Sequence, residues 1–267
     1  MKCASKAEKK VTGMVSKLDI ALSFRDRTVP CRVGLLLLET DHTTELEFAR
    51  HMPHDLVGVY ANRVEYANPT TPENLMAMLP QLGHRAEQIL PGADLDVIYY
   101  GCTAASFVIG NERVEEEIRK VKPTATVITP TSAAMLAFQQ FGVSSLAILT
   151  PYLPATSQPL EDYFLGHDLD VKRHSCLGLE DDREMARLDA DTLIRAAVEA
   201  DDPQADALFI SCTALRSIEV AGEIEKRLGK PVVTSNQAAI WAISRLLGLP
   251  RPNLNPCKLF ETLPTRL

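Results

Sequence analysis

From Cys31 onward, short apolar runs alternate with longer amphipathic stretches, the pattern of a parallel sheet covered by crossover helices. The runs predict strands over Arg32–Leu38, Leu56–Tyr60, Asp96–Tyr100, Thr126–Thr129, Ser145–Thr150, Asp170–His174, Ala207–Ser211 and Pro231–Thr234. Between them the spacing predicts helices that include Thr71–Leu90, Asn111–Val121, Asp189–Ala200 and Ser217–Leu228. Ahead of this pattern, Ala7–Phe24 reads as an added surface helix.

The second half of the chain repeats the first in order and in wording. Asp96-Val-Ile-Tyr-Tyr-Gly-Cys102-Thr-Ala matches Asp206-Ala-Leu-Phe-Ile-Ser-Cys212-Thr-Ala, at an offset of 110 residues. Downstream, Val127-Ile-Thr-Pro-Thr-Ser-Ala-Ala matches Val232-Val-Thr-Ser-Asn-Gln-Ala-Ala, each a strand running into a helix through polar caps. Val33-Gly-Leu-Leu-Leu-Leu-Glu-Thr and Leu146-Ala-Ile-Leu-Thr-Pro-Tyr open the two halves alike. The expected fold is therefore α/β, with two pseudo-symmetric four-stranded parallel-sheet domains. Residues 31–129 with 236–267 would form the first domain, 130–235 the second, and 1–30 a helical extension. Packed about a pseudo-dyad, the carboxyl ends of both sets of strands would face one cleft, bringing the two Cys-Thr-Ala turns together.

Composition narrows the function. With 46% hydrophobic and 24% charged residues, the 267-residue chain is of ordinary globular make-up. A net charge of −7 argues against a nucleic-acid partner, which needs a basic face. No apolar stretch is long enough to span a bilayer, and no apolar segment of signal-peptide type follows the lysines near the start. The expectation is a cytoplasmic protein acting on a small molecule, with no membrane partner and with homo-oligomerisation left open. Six cysteines lie at 3, 31, 102, 176, 212 and 257, without CxxC or Cys/His metal spacing. They read as free thiols in a reducing compartment, and no metal or cofactor is expected.

For Cys3, Cys31, Cys176 and Cys257 a small buried core role suffices. Cys102 and Cys212 differ, because each ends an apolar strand and precedes a predicted helix. Backbone N–H groups and the helix dipole there favour a thiolate, which suits a base or nucleophile. His42 lies in the first loop within reach of the cleft, while His51, His54, His84, His167 and His174 read as solvated or capping. Neither GxGxxG nor a P-loop is present.

These motifs resemble the Asp/Glu racemase superfamily, in particular the branch with maleate isomerase, arylmalonate decarboxylase and a racemase-like ectoine-utilisation protein. The resemblance runs from about Arg32 to Leu249 and is carried by Val33-Gly-Leu with Thr43-Thr-Glu45, Gly101-Cys-Thr103, Thr150-Pro-Tyr152, Ser211-Cys-Thr213 and Thr234-Ser-Asn-Gln-Ala238. It implies a cofactor-independent racemase or isomerase of a small carboxylate, with Cys102 and Cys212 facing each other. Thr103, Ala104, Thr213 and Ala214 would offer backbone or hydroxyl donors to the substrate carboxylate, which the Tyr152 phenol would also contact. The decarboxylase branch has glycine at the first cysteine position, so the paired thiols favour isomerisation or racemisation. Asp41 stands where maleate isomerase has a neutral amide, which disfavours maleate and favours a substrate carrying an amine or amidine, such as a zwitterion of ectoine or hydroxyectoine degradation. Maleate cis-trans isomerisation, decarboxylation or C–C cleavage by Cys212 alone, and non-catalytic binding are the alternatives.

Overall fold

The computed structural model describes residues 17–265. Eight strands form: β1 (Cys31–Leu38), β2 (Val57–Val64), β3 (Val97–Gly101), β4 (Thr126–Ile128), β5 (Ser145–Thr150), β6 (Asp170–Cys176), β7 (Ala207–Ile210) and β8 (Val232–Thr234). The helices of the first half are α1 (Thr44–His51), α2 (Pro72–Met76), α3 (Leu82–Glu87), α4 (Thr103–Ile109), α5 (Asn111–Arg119) and α6 (Pro130–Phe141). Those of the second are α7 (Pro154–Leu165), α8 (Asp182–Met185), α9 (Ala190–Ala200), α10 (Ile218–Leu228), α11 (Ser235–Leu246) and α12 (Lys258–Glu261).

The strands make two parallel four-stranded sheets, ordered β2-β1-β3-β4 and β6-β5-β7-β8. The same order twice is the duplication read from the sequence. The central strands β3, β5 and β7 are buried along their whole length, and β1 over Val33–Leu38, as expected of strands covered by helices on both faces. The edge strand β6 exposes Lys172 and Arg173 instead, charges that discourage pairing with another chain. Apolar side chains fill each layer, with Phe48 stacked on Tyr99 of β3 at 5.3 Å and Phe138, Phe164 and Phe209 of β7 packed edge-to-face.

Helices α6 and α11, each following the last strand of its sheet, pack against each other. The repeated strand-to-helix wording has a physical meaning here. Ser132 Oγ accepts the Thr129 N–H at 3.0 Å, and Gln237 Oε1 accepts the Thr234 N–H at 2.9 Å, so both helices start on a side chain folded back to the capping residue.

Two expected elements differ. The single helix over Thr71–Leu90 is broken into α2, a 3₁₀ turn at Leu79–Gln81 and α3, because Pro80 has no N–H for a continuous helix. Of the helix expected over Ala7–Phe24, residues 7–16 lie outside the described residues. Residues 17–24 are not helical, and Leu18, Ile20, Leu22 and Phe24 are exposed. Without an apolar surface to cover, an isolated segment of this length gains too little to offset helix nucleation. Among the described residues no helix is long and apolar enough to cross a membrane.

Candidate functional site

The carboxyl ends of both sheets converge on a narrow, nearly filled cleft. Cys102 and Cys212 both line it, and so do Asp41, Thr103, Ala104, Tyr152, Thr213 and Ala214. Every site residue read from the sequence is thus brought to one place. His42 is exposed and does not line the cleft, and His51 is buried, bonded to Glu47 O and Asn255 rather than solvated. Among the described residues no cluster of His, Cys, Asp and Glu is placed to hold a metal.

The two thiols are presented differently. Cys102 caps α4, and its Sγ accepts the Ala105 N–H at 3.4 Å, as expected for a cysteine at a helix start. Cys212 is not followed by a helix: Thr213–Leu215 bend without helical structure, and α10 begins only at Ile218. The chain leaves β7 with Cys212 at φ +103°, a conformation L-residues avoid, and the turn is held from outside. The Cys212 N–H donates to Ser235 Oγ at 3.0 Å, and the same oxygen accepts the Thr103 hydroxyl at 2.8 Å. Ser235 therefore ties the two Cys-Thr-Ala turns together.

Its neighbour Asn236 donates to Thr213 O at 2.9 Å and to Glu47 Oε2 at 2.7 Å, and accepts from Tyr99 at 3.0 Å. Thr213 donates to Gly101 O at 3.2 Å. At Gly101 a Cβ would come within 2.5 Å of the Leu37 side-chain end, so any larger residue there would have to displace that buried side chain. The Thr103 and Thr213 hydroxyls expected to meet substrate are engaged in holding the turns. Donors remain in the N–H groups of Thr103 and Ala104, which the first turn of α4 leaves without helical acceptors.

The expected low thiol pKa is reversed. Burial pushes Cys102 well above the usual thiol range, against the Ala105 N–H, and the neighbouring Cys212, Asp182 and Asp41 raise it further. Burial also pushes Cys212 up to about 12, against the Tyr152 phenol and the amides of Ala214 and Leu215. Desolvation outweighs the helix start at Cys102, and Cys212 has no helix start at all. Both are neutral thiols in this closed cleft.

Asp41 is buried in the cleft wall, but its carboxylate is occupied. Oδ1 accepts the N–H groups of Thr43 and Thr44 at 2.9 and 2.8 Å, and Oδ2 accepts the Thr44 hydroxyl at 2.6 Å, which caps α1. Sequence reasoning missed Asp182, Tyr66 and Thr70, which also line the cleft. Asp182 lies in the acidic run Glu180-Asp-Asp, which looks like solvated loop, and Tyr66 and Thr70 lie in the loop after β2. The repeat was a signal that could have found them, since β2 and β6 are equivalent strands and both end at the cleft. The loop after β6 roofs the site: Glu180 O accepts the Thr70 N–H at 2.9 Å, and Leu179 N–H donates to Pro151 O at 2.8 Å.

A larger open groove between α6 and α11, lined by Leu136, Trp241 and Arg245 among others, contains none of these residues.

Paired parallel sheets around one cleft are the architecture of solved maleate isomerases and arylmalonate decarboxylases. The chain belongs to the arylmalonate decarboxylase family, whose sequence model matches residues 70–260. It is 29% identical over 184 residues to the arylmalonate decarboxylase of Bordetella bronchiseptica, covering 67% of this chain and 75% of that one. It is 26% identical over 231 residues to the maleate isomerase of Nocardia farcinica, covering 82% and 91%. A structure of Nocardia farcinica maleate cis-trans isomerase, a cysteine-to-serine mutant with a covalently bound succinylcysteine intermediate, superposes with a TM-score of 0.79 at 24% identity over 86% of this chain and 98% of that one.

Proposed function

We propose that the protein is a cofactor-independent racemase or isomerase of a small carboxylate, with Cys212 as base or nucleophile and Cys102 as the opposing acid. The observation that carries this reading is the pair of thiols, at equivalent positions of the two halves, lining one cleft. The Tyr152 phenol and the amides of Ala214 and Leu215 oppose the desolvation of Cys212, whereas only the Ala105 N–H opposes that of Cys102. Cys212 is therefore the thiol that ionises first, releasing its proton to solvent before the cleft closes on the substrate.

The substrate carboxylate rests on the N–H groups of Thr103 and Ala104 at the start of α4, where the helix dipole favours negative charge. The Cys212 thiolate takes the proton from the adjacent carbon, and the electron pair moves into the carboxylate to form an enediolate. The Cys102 thiol then gives its proton to the opposite face. Cys212 is left as thiol and Cys102 as thiolate; a turnover in the reverse sense, or exchange with solvent, restores the start. The amides stabilise the charge that develops on the enediolate oxygens. The same geometry serves addition of a thiolate to a double bond, as in the succinylcysteine of the Nocardia relative, an adduct formed with one cysteine replaced by serine and therefore carried by another.

Asp41 and, among the described residues, a cleft lining without any basic side chain favour a zwitterionic substrate, of the kind met in ectoine and hydroxyectoine degradation, over maleate. Cys102→Ser and Cys212→Ser test the mechanism, since serine keeps the shape but holds its proton far more tightly. Each change is expected to lower turnover by at least about 10³-fold while binding stays within roughly tenfold. Full activity in Cys102→Ser with loss in Cys212→Ser would instead establish the one-cysteine lyase, and unchanged function in both the non-catalytic binder.

A further inference from the structure

We propose that Asp182 sets the charge preference of the cleft by binding the cationic nitrogen of a monocarboxylate, so that the site takes a zwitterion and rejects a dicarboxylate. The inference rests on the two-thiol reading only for where the substrate lies.

Among the described residues, the side chains lining the cleft include two carboxyls, Asp41 and Asp182, and no Lys, Arg or His. A dicarboxylate would bring two more negative charges into a confined space with no cation to meet them, whereas an ammonium or amidinium would find a counter-charge. The two carboxyls are not equivalent. Asp41 accepts three hydrogen bonds from the start of α1 and serves as its cap. Asp182 Oδ2 accepts the Thr40 hydroxyl, while Oδ1 has only the Asn68 amide at 3.4 Å, which is also 3.3 Å from Asp181. A carboxylate has about four acceptor positions, so Asp182 keeps capacity that Asp41 has largely spent.

Placement agrees with this assignment. Thr40 and Asn68 belong to the loops after β1 and β2, so they hold Asp182 in position from across the cleft. Tyr66 contributes an aromatic wall to the same space, and its hydroxyl is turned to Thr70 at 2.6 Å. A cation between an aspartate and an aromatic wall is well accommodated. Burial raises Asp182 above the ordinary carboxyl range, and an arriving cation favours its ionised form.

Calorimetric titration of the full chain tests the proposal with four probes: ectoine as an amidinium carboxylate, 4-aminobutyrate as an ammonium carboxylate, and maleate and succinate as dicarboxylates. At least one zwitterion is expected to bind at least about tenfold more tightly than either dicarboxylate. Asp182→Asn should weaken that zwitterion and strengthen the dicarboxylates, each by about tenfold, whereas Asp182→Glu should keep the wild-type order. A wild-type protein that prefers maleate or succinate, or binds neither zwitterion, overturns the proposal without any variant. So does an Asp182→Asn protein in which all four ligands weaken by the same factor, because that is the outcome for a purely structural contact to Thr40. The wild-type and Asp182→Glu results decide the matter if Asp182→Asn does not fold. Charge preference is read from binding and the thiol mechanism from turnover, so each can fail without the other.

Discussion

Replacing Ser235 with alanine probes the joint between the two halves at its narrowest point. Ser235 is fully buried, and its one oxygen accepts the Cys212 N–H at 3.0 Å and the Thr103 hydroxyl at 2.8 Å. Alanine removes that acceptor and leaves two buried donors unpaired. Each unpaired buried donor costs about 1–3 kcal/mol, and Thr103 can rotate to recover part of its share, so a total loss of about 3 kcal/mol is expected. For a chain of this size that corresponds to a fall in Tm of roughly 6–12 °C. The effect should also be chemical, because the Ser235 bond restrains Cys212 at φ +103°. A relaxed turn misplaces the thiol, and turnover should fall more than about tenfold. Ser244→Ala is the control: Ser244 lies on the same helix, α11, and is equally buried, yet its hydroxyl has no hydrogen-bond partner. Calorimetric unfolding of both variants, with rates of Cys212 alkylation by iodoacetamide, reads the two consequences separately. A loss under about 1 kcal/mol for Ser235→Ala, or one equal to that of Ser244→Ala, would falsify the joint.

Three other outcomes follow from the same geometry. Burial raises Glu47 well above the ordinary carboxyl range, and its Oε1 has no partner; a group with a raised folded pKa stabilises fully below its unfolded value of about 4.3 and loses that contribution as pH rises through the folded value, so Glu47→Gln should raise Tm by about 2–4 °C at pH 7 and by nothing at pH 4. Gly101→Ala would press a methyl to 2.5 Å from the buried Leu37 and should destabilise by about 1–3 kcal/mol in denaturant titration, with part recovered in a Leu37→Val background; equal losses in both backgrounds would contradict the close approach. With Cys212 held up to about 12, its alkylation without substrate should be slower than that of a free thiol at pH 7 and should still climb between pH 8 and about 10, where a free thiol levels off; a plateau near pH 7 would show a preformed thiolate.

The central strands were legible because fully buried parallel strands are written as uninterrupted apolar runs, as in Val33–Leu38 and Leu146–Leu149. The matched Cys-Thr-Ala turns revealed the duplication and placed both thiols at strand ends, and a duplicated pair of sheets has few ways to pack other than ends together. Helix continuity and ionisation were less accessible. Pro80 broke an apparently periodic helix, and nothing near Phe24 signalled that its segment lacks a surface to cover.

What tertiary structure alone decided was electrostatic. Local sequence places Cys102 and Cys212 in the same wording, but only the folded cleft removes water from both and turns the helix after Cys212 into a strained turn held by Ser235. Likewise Asp41 and Asp182, 141 residues apart, share one cavity, one as a helix cap and the other with acceptor capacity left over. Periodicity along a chain encodes which face a side chain turns toward the core. Desolvation and charge depend on which distant groups share that space, and those are set by the packing of the two halves.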